Sequence, residues 1–117
     1  MGRMVASDIP ELADLASAKG ALAKLWRARQ FHDAATLAAK AMALWPEDAE
    51  IRTQYAKSLL AAGALIEAEA AAREALLLEP ESEDLWIVLA DALIRQERSA
   101  DARESLREAC FAMPESA

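Results

Sequence analysis

Apolar and small positions recur along this chain at one long, fixed step. Leu25, Leu59 and Leu93 are spaced by 34 residues, and so are Ala34, Ala68 and Ala102, and Ala41, Ala75 and Ala109. Pro46, Pro80 and Pro114 fall on the same step, as do the acids Asp33, Glu67 and Asp101. Five columns in register over three copies mark a supersecondary unit that recurs. Within each unit the pattern predicts two helices. In the second unit Asp48 is placed to cap a helix that runs to about Ala62, and Gly63 then turns the chain. A second helix is predicted from about Leu65 to Leu78, and Pro80 prevents its continuation. The third unit predicts helices from about Asp84 to Gln96 and from about Ala100 to Met113. The first unit is expected to open with a longer helix beginning near Pro10 and Glu11, with Ser7 or Asp8 as its cap.

The small columns have a packing reason. Ala34 and Ala41 lie seven residues apart on one helix face, as do Ala68 and Ala75, and Ala102 and Ala109. A methyl group there lets the second helix of a unit lie close to the first, and Leu25, Leu59 and Leu93 fill the gap between them. One such pair cannot bury its apolar faces alone, so neighbouring pairs stack and share a core. The expected organisation is an N-terminal segment over 1–14 and repeats over 15–48, 49–82 and 83–116.

The third unit carries Trp86, Leu89-Ala90, Leu93, Ala102, Leu106, Ala109 and Pro114. The second keeps Tyr55-Ala56, Leu59, Gly63, Ala68, Ala72, Ala75 and Pro80, with Arg52 where the third has its Trp. The first has Ala18, Ala21-Leu22, Leu25, Phe31, Ala34, Ala38, Ala41 and Pro46. In these residues the chain resembles the tetratricopeptide repeat family over about residues 15 to 116. The resemblance implies an all-α, right-handed solenoid of three helix-turn-helix repeats that binds another protein through its concave side.

Composition narrows the function. Apolar residues make up 55% and charged residues 28% of the 117, a balance that supports a packed core. The net charge of −7 argues against a nucleic-acid footprint or an anionic membrane surface, both of which need a basic face. No apolar run approaches the ~20 residues of a membrane span. The opening residues Met1 to Ser7 lack an apolar signal core, and Ala6 stands where a myristoylation signal needs Ser or Thr. The single cysteine, Cys110, forms no internal disulfide and fits a cytoplasmic setting.

Catalytic chemistry is not expected. His32 is the one histidine and falls beside an inter-helix turn, where it reads as solvated. Cys110 shares a column with Met42 and Leu76 and reads as a buried structural thiol. Glycine occurs at Gly2, Gly20 and Gly63, too sparse for a phosphate-cradling loop. Charged neighbours such as Glu69 with Arg73, or Glu104 with Glu108, fit a solvated helix face. No catalytic, metal or cofactor-binding residue is assigned, and the chain is read as no enzyme.

The remaining candidate is a surface. By analogy with the family, the first helix of each pair lines the concave side. The stripe away from the Leu column is Lys19, Ala23 and Trp26 in the first unit, Thr53, Lys57 and Leu60 in the second, and Ile87, Asp91 and Ile94 in the third. An apolar floor with two lysines suits an amphipathic helix or extended segment carrying a carboxylate. Trp26 either joins that floor or is covered by the N-terminal segment. Part of the family grips chaperone C-termini through a clamp of basic and Asn side chains. Lys19 matches one of its positions, but Ala23, Gln54, Ile87 and Val88 replace the others, so that ligand is not expected. The expected function is an adaptor or scaffold. The alternatives are a dedicated secretion-type chaperone for one helical client and a regulatory module of a larger enzyme. Leu65, Ile66 and Ala70 are expected to face the third pair. Only Glu115, Ser116 and Ala117 follow Pro114, which predicts no capping helix, and Leu106, Cys110 and Phe111 on the last helix then suggest either that the chain is a piece of a longer array or that it self-associates weakly through the C-terminal helix, the second being the expectation carried forward.

Overall fold

Three side chains on the 34-residue step start the first helix of each pair. The Asp14 carboxylate accepts the Ser17 N–H at 2.7 Å, Asp48 accepts that of Ile51 at 2.9 Å, and the Ser82 hydroxyl accepts that of Leu85 at 3.4 Å. Each satisfies a donor that the helix itself leaves unpaired, worth about 1 kcal/mol. The computed structural model, which describes residues 9–113, follows this rule throughout. It contains α1 (Leu15–Arg27), α2 (Phe31–Leu44), α3 (Ala49–Ala61), α4 (Leu65–Leu78), α5 (Glu83–Arg95) and α6 (Ser99–Ala112), with no strand among the described residues. Each unit is a 13-residue helix, a short turn and a 14-residue helix, which pair as an antiparallel hairpin.

The first unit departs from expectation. Its opening helix is not longer than the others. Pro10–Leu12 forms a 3-10 turn, and α1 begins only after Asp14, whose backbone is extended (φ −152°). Once the Asp14 carboxylate takes the Ser17 N–H, the chain upstream cannot continue the helix. Ser7 and Asp8 lie outside the described residues, as does Pro114.

The turns repeat as faithfully as the caps. Arg29, Gly63 and Glu97, again 34 apart, all take positive φ (59°, 84° and 63°). Around each, two backbone bonds close the preceding helix: Arg29 to Trp26 and Gln30 to Leu25, Gly63 to Leu60 and Ala64 to Leu59, Glu97 to Ile94 and Arg98 to Leu93. This is the left-handed helix stop that glycine adopts freely, whereas Arg29 and Glu97 each carry a cost of roughly 1–2 kcal/mol.

Packing follows the small columns. Ala34, Ala68 and Ala102, and Ala41, Ala75 and Ala109, are all buried, with Leu59 and Leu93 beside them and Leu25 half-buried. Helix α2 packs on α3 and α4 on α5, so each pair stacks on the next. A polar knot reinforces the second junction. The Glu69 carboxylate on α4 accepts from Arg98 Nη1 at 2.7 Å, from Gln96 Nε2 at 3.1 Å and from Arg73 Nε at 3.1 Å.

Three expectations about exposure are corrected. The α4 residues that join the core with α5 are Ala68, Ala71, Ala72, Ala75 and Leu76; Ile66 and Ala70 are exposed and Leu65 is half-buried. Cys110 is exposed rather than buried, because the described residues place no helix over α6 as α5 lies over α4. Phe111 does not share a face with Leu106. Phe111 is 87% exposed, and its counterpart Leu77 is 84% exposed in a unit that does have a successor. Leu106 is 47% exposed where its counterpart Ala72 is fully buried. Leu106 therefore lies on the stacking face and Phe111 on the outer side.

Candidate protein-binding groove

The flanks of α1 and α3 enclose a cavity of about 340 Å³, lined by Lys19, Leu22, Ala23, Trp26, Glu50, Gln54 and Lys57. Its floor is fixed by one hydrogen bond. Trp26 Nε1 donates to Ser58 Oγ at 2.9 Å, and Ser58 is fully buried. The Trp26 ring also meets Phe31 edge-on, with centroids 4.7 Å apart, and the Arg29 guanidinium lies 5.7 Å from the Phe31 ring centre. An indole held on two sides loses little freedom when a ligand covers its remaining surface.

Four of the nine expected residues, Lys19, Ala23, Trp26 and Lys57, meet in this cavity. Thr53 and Leu60 are half-buried on α3, and Ile87, Asp91 and Ile94 lie on α5, none of them lining it. Leu22, Glu50 and Gln54 were missed. Successive first helices present rotated, overlapping stripes to the space between them: α1 offers 19, 23 and 26, but α3 offers 50, 54 and 57, which share only the column of 23 and 57. One stripe copied along the 34-residue step cannot describe both. The signal for the second flank is the same helical spacing, shifted by three residues.

Both groove lysines are already engaged. Lys19 Nζ lies 2.8 Å from a Glu50 oxygen and 3.4 Å from an Asp48 oxygen, and Lys57 Nζ lies 3.2 Å from an Asp84 oxygen. Each pair ties one first helix to the start of the next. The hydrogen bond to Glu50, assisted by Asp48, raises the Lys19 ammonium above its ordinary value. The Ile51 N–H, and then Lys19, hold the Asp48 carboxyl below its own. Partly exposed pairs of this kind are screened by solvent and weak, so a ligand is able to exchange them.

A larger cleft of about 610 Å³ opens on the other flank of α1, over Ser17, Gly20, Ala21 and Lys24. In later units those columns hold residues that pack on the preceding pair, among them Ile51, Leu85, Val88, Leu89 and Ala92. The cleft is thus the stacking face of the first unit, with small or polar residues in place of core ones. His32 is exposed, and among the described residues no group of three or more His, Cys, Asp or Glu is arranged to hold a metal. Among the same residues no helix is long and apolar enough to cross a membrane.

A family model described as tetratricopeptide repeat matches residues 59–116, which takes in the end of α3 and all of α4, α5 and α6. No curated protein matches the chain. The first pair repeats the caps, the positive-φ turns and the small columns of the other two. The chain belongs to the tetratricopeptide repeat family, whose repeats generally mediate protein–protein interaction.

Proposed function

We propose that this protein is an adaptor or scaffold that seats a peptide or helix of another protein along its first helices. The surface comprises Lys19, Ala23 and Trp26 on α1, Thr53, Lys57 and Leu60 on α3, and Ile87, Asp91 and Ile94 on α5. The observation that carries this reading is the cavity floored by Trp26 and braced by Ser58. Its size suits one large apolar side chain, and pre-set aromatic rings of this kind dominate interface energetics. The exposed Ile87 and Ile94 extend the apolar strip beyond it. Nothing in the surroundings offers a nucleophile beside a base, so binding rather than turnover is the role assigned. The free Cys110 thiol fits a reducing, cytoplasmic setting.

The test is affinity capture from the source cells with the wild-type chain and with a Lys57→Glu, Leu60→Asp variant. The variant should keep its helicity by circular dichroism and lose its partner. A partner retained by the folded variant would place binding on another surface. A single client held one-to-one would point to a dedicated chaperone, and several clients of modest affinity to an adaptor.

A further inference from the structure

The two end faces of the array are matching halves of its own internal junctions. At the first junction Ala38 on α2 and Tyr55 on α3 pack in one core cluster, and at the second Ala72 on α4 and Leu89 on α5 do. Each time the second helix supplies a methyl group and the following first helix a large side chain. The end faces invert these sizes. The column of Ala38 and Ala72 continues in Leu106 on α6, and the column of Tyr55 and Leu89 begins at Ala21 on α1. The neighbouring column runs Gly20, Gln54, Val88. Val88 is buried, whereas a methyl group placed on Gly20 would meet open space. Gly20 and Ala21 line the cleft of about 610 Å³ on α1, and Leu106 stands half in solvent on α6. One end face thus carries a large apolar side chain, and the other a hollow in the matching place. Charge does not choose the occupant. Lys24 on the first face and Arg103 on the last have long apolar stems that run out to the rims, where Glu11, Glu104 and Glu108 lie beside Arg107.

We propose that this chain docks head to tail on a second copy of itself, with Leu106 of one copy seated in the Gly20 and Ala21 cleft of the next. The contact continues the internal stacking, since α6 then meets α1 as α2 meets α3 and α4 meets α5. Leu106 against Ala21 reverses Ala72 against Leu89, so the space between helices is filled from the other side. The two faces differ, so the contact is heterologous and every added copy presents a fresh cleft or a fresh Leu106. Association therefore proceeds beyond a dimer. A tail-to-tail dimer would instead set two Leu106 side chains against each other and leave both clefts empty.

Sedimentation of the full chain and of two single variants tests this. Gly20→Arg fills the cleft from an exposed helical position with open space around it, and Leu106→Asp removes the apolar side chain that enters it. Circular dichroism should find both variants as helical as wild type. Wild type should pass from monomer through dimer to larger species as concentration rises, with little dependence on salt. Each variant alone should remain monomeric. An equal mixture of the two should form a dimer and nothing larger, because each retains one working face, with an affinity within about threefold of the wild-type step. A wild-type mass that stops at the dimer, a Gly20→Arg variant that still associates, or a mixture that stays monomeric where wild type associates overturns the head-to-tail contact. Wild type that is monomeric throughout overturns it as well, and leaves the cleft to residues 1–8 of the same chain or to another protein.

Discussion

The indole Nε1 of Trp86 donates to the carbonyl oxygen of Pro80 at 2.7 Å. One unit earlier, Arg52 occupies the same column and donates from Nη2 to the carbonyl of Pro46. Two unlike side chains are thus equivalent in effect, each tying the second turn of a first helix back to the loop that enters it. Trp86 adds a buried ring that Arg52 lacks. Replacing Trp86 with Phe keeps most of the apolar contact but removes the donor, and is expected to cost about 1–2 kcal/mol. Trp86→Ala should cost about 3–5 kcal/mol. Urea unfolding of both variants checks the order, and a Trp86→Phe variant as stable as wild type would show that the hydrogen bond contributes nothing.

Glu97 holds a left-handed conformation that suits glycine, as Gly63 does in the same column. Glu97→Gly relieves roughly 1–2 kcal/mol of backbone strain and loses about 0.5–1 kcal/mol to the greater freedom of the unfolded chain. The expected net effect is a gain of about 0.5–1 kcal/mol. Arg29→Gly should gain less, because Arg29 also lies over the Phe31 ring. Gly63→Ala should destabilise. Denaturation midpoints of the three variants give the comparison; a stabilising Gly63→Ala would refute the strain argument.

Acid should loosen the junction between the second and third pairs. Burial works to raise the Glu69 carboxyl, but the bonds from Gln96, Arg73 and Arg98 outweigh it and hold the group below its ordinary value. A depressed carboxyl contributes stability that is complete above its unfolded value and is lost as pH falls through its folded one. Glu69→Gln should therefore be less stable than wild type near neutrality, with the gap closing as pH falls below the ordinary glutamate range. Thermal melts across that range test it, and a gap that is constant with pH would count against the network.

Leu106, not Phe111, is the residue expected to govern self-association. It lies on the stacking face, where its counterpart Ala72 is covered by the following pair. Sedimentation over a hundredfold concentration range should show wild type gaining mass and Leu106→Asp remaining monomeric. Phe111→Glu, altered on the outer side, should behave as wild type. Loss of association only in Phe111→Glu would move the contact to that side.

The period, and almost everything local to it, is legible in the residues alone: six helices, the Gly63 turn, the Asp48 cap and the alanine columns. These depend on neighbours within one unit, and a repeated unit displays its local rules three times. Asp14 and Ser82 were legible in the same way, as caps in register with Asp48, and were obscured by the better helix signals of Pro10 and Asp84. Arg29 and Glu97 were not legible, because neither residue type announces a positive φ; only the repetition of the Gly63 turn imposes it. The groove depended most on the packing of one pair against the next. Which flank of α3 faces α1 is set by how successive pairs rotate against each other, and no residue encodes that rotation alone. The same rotation brings Lys19 to Glu50 and Lys57 to Asp84, converting two apparent ligand-binding cations into internal partners. It also covers Ala72 while leaving Leu77 in solvent, and so separates Leu106 from Phe111 on a helix where spacing alone had grouped them.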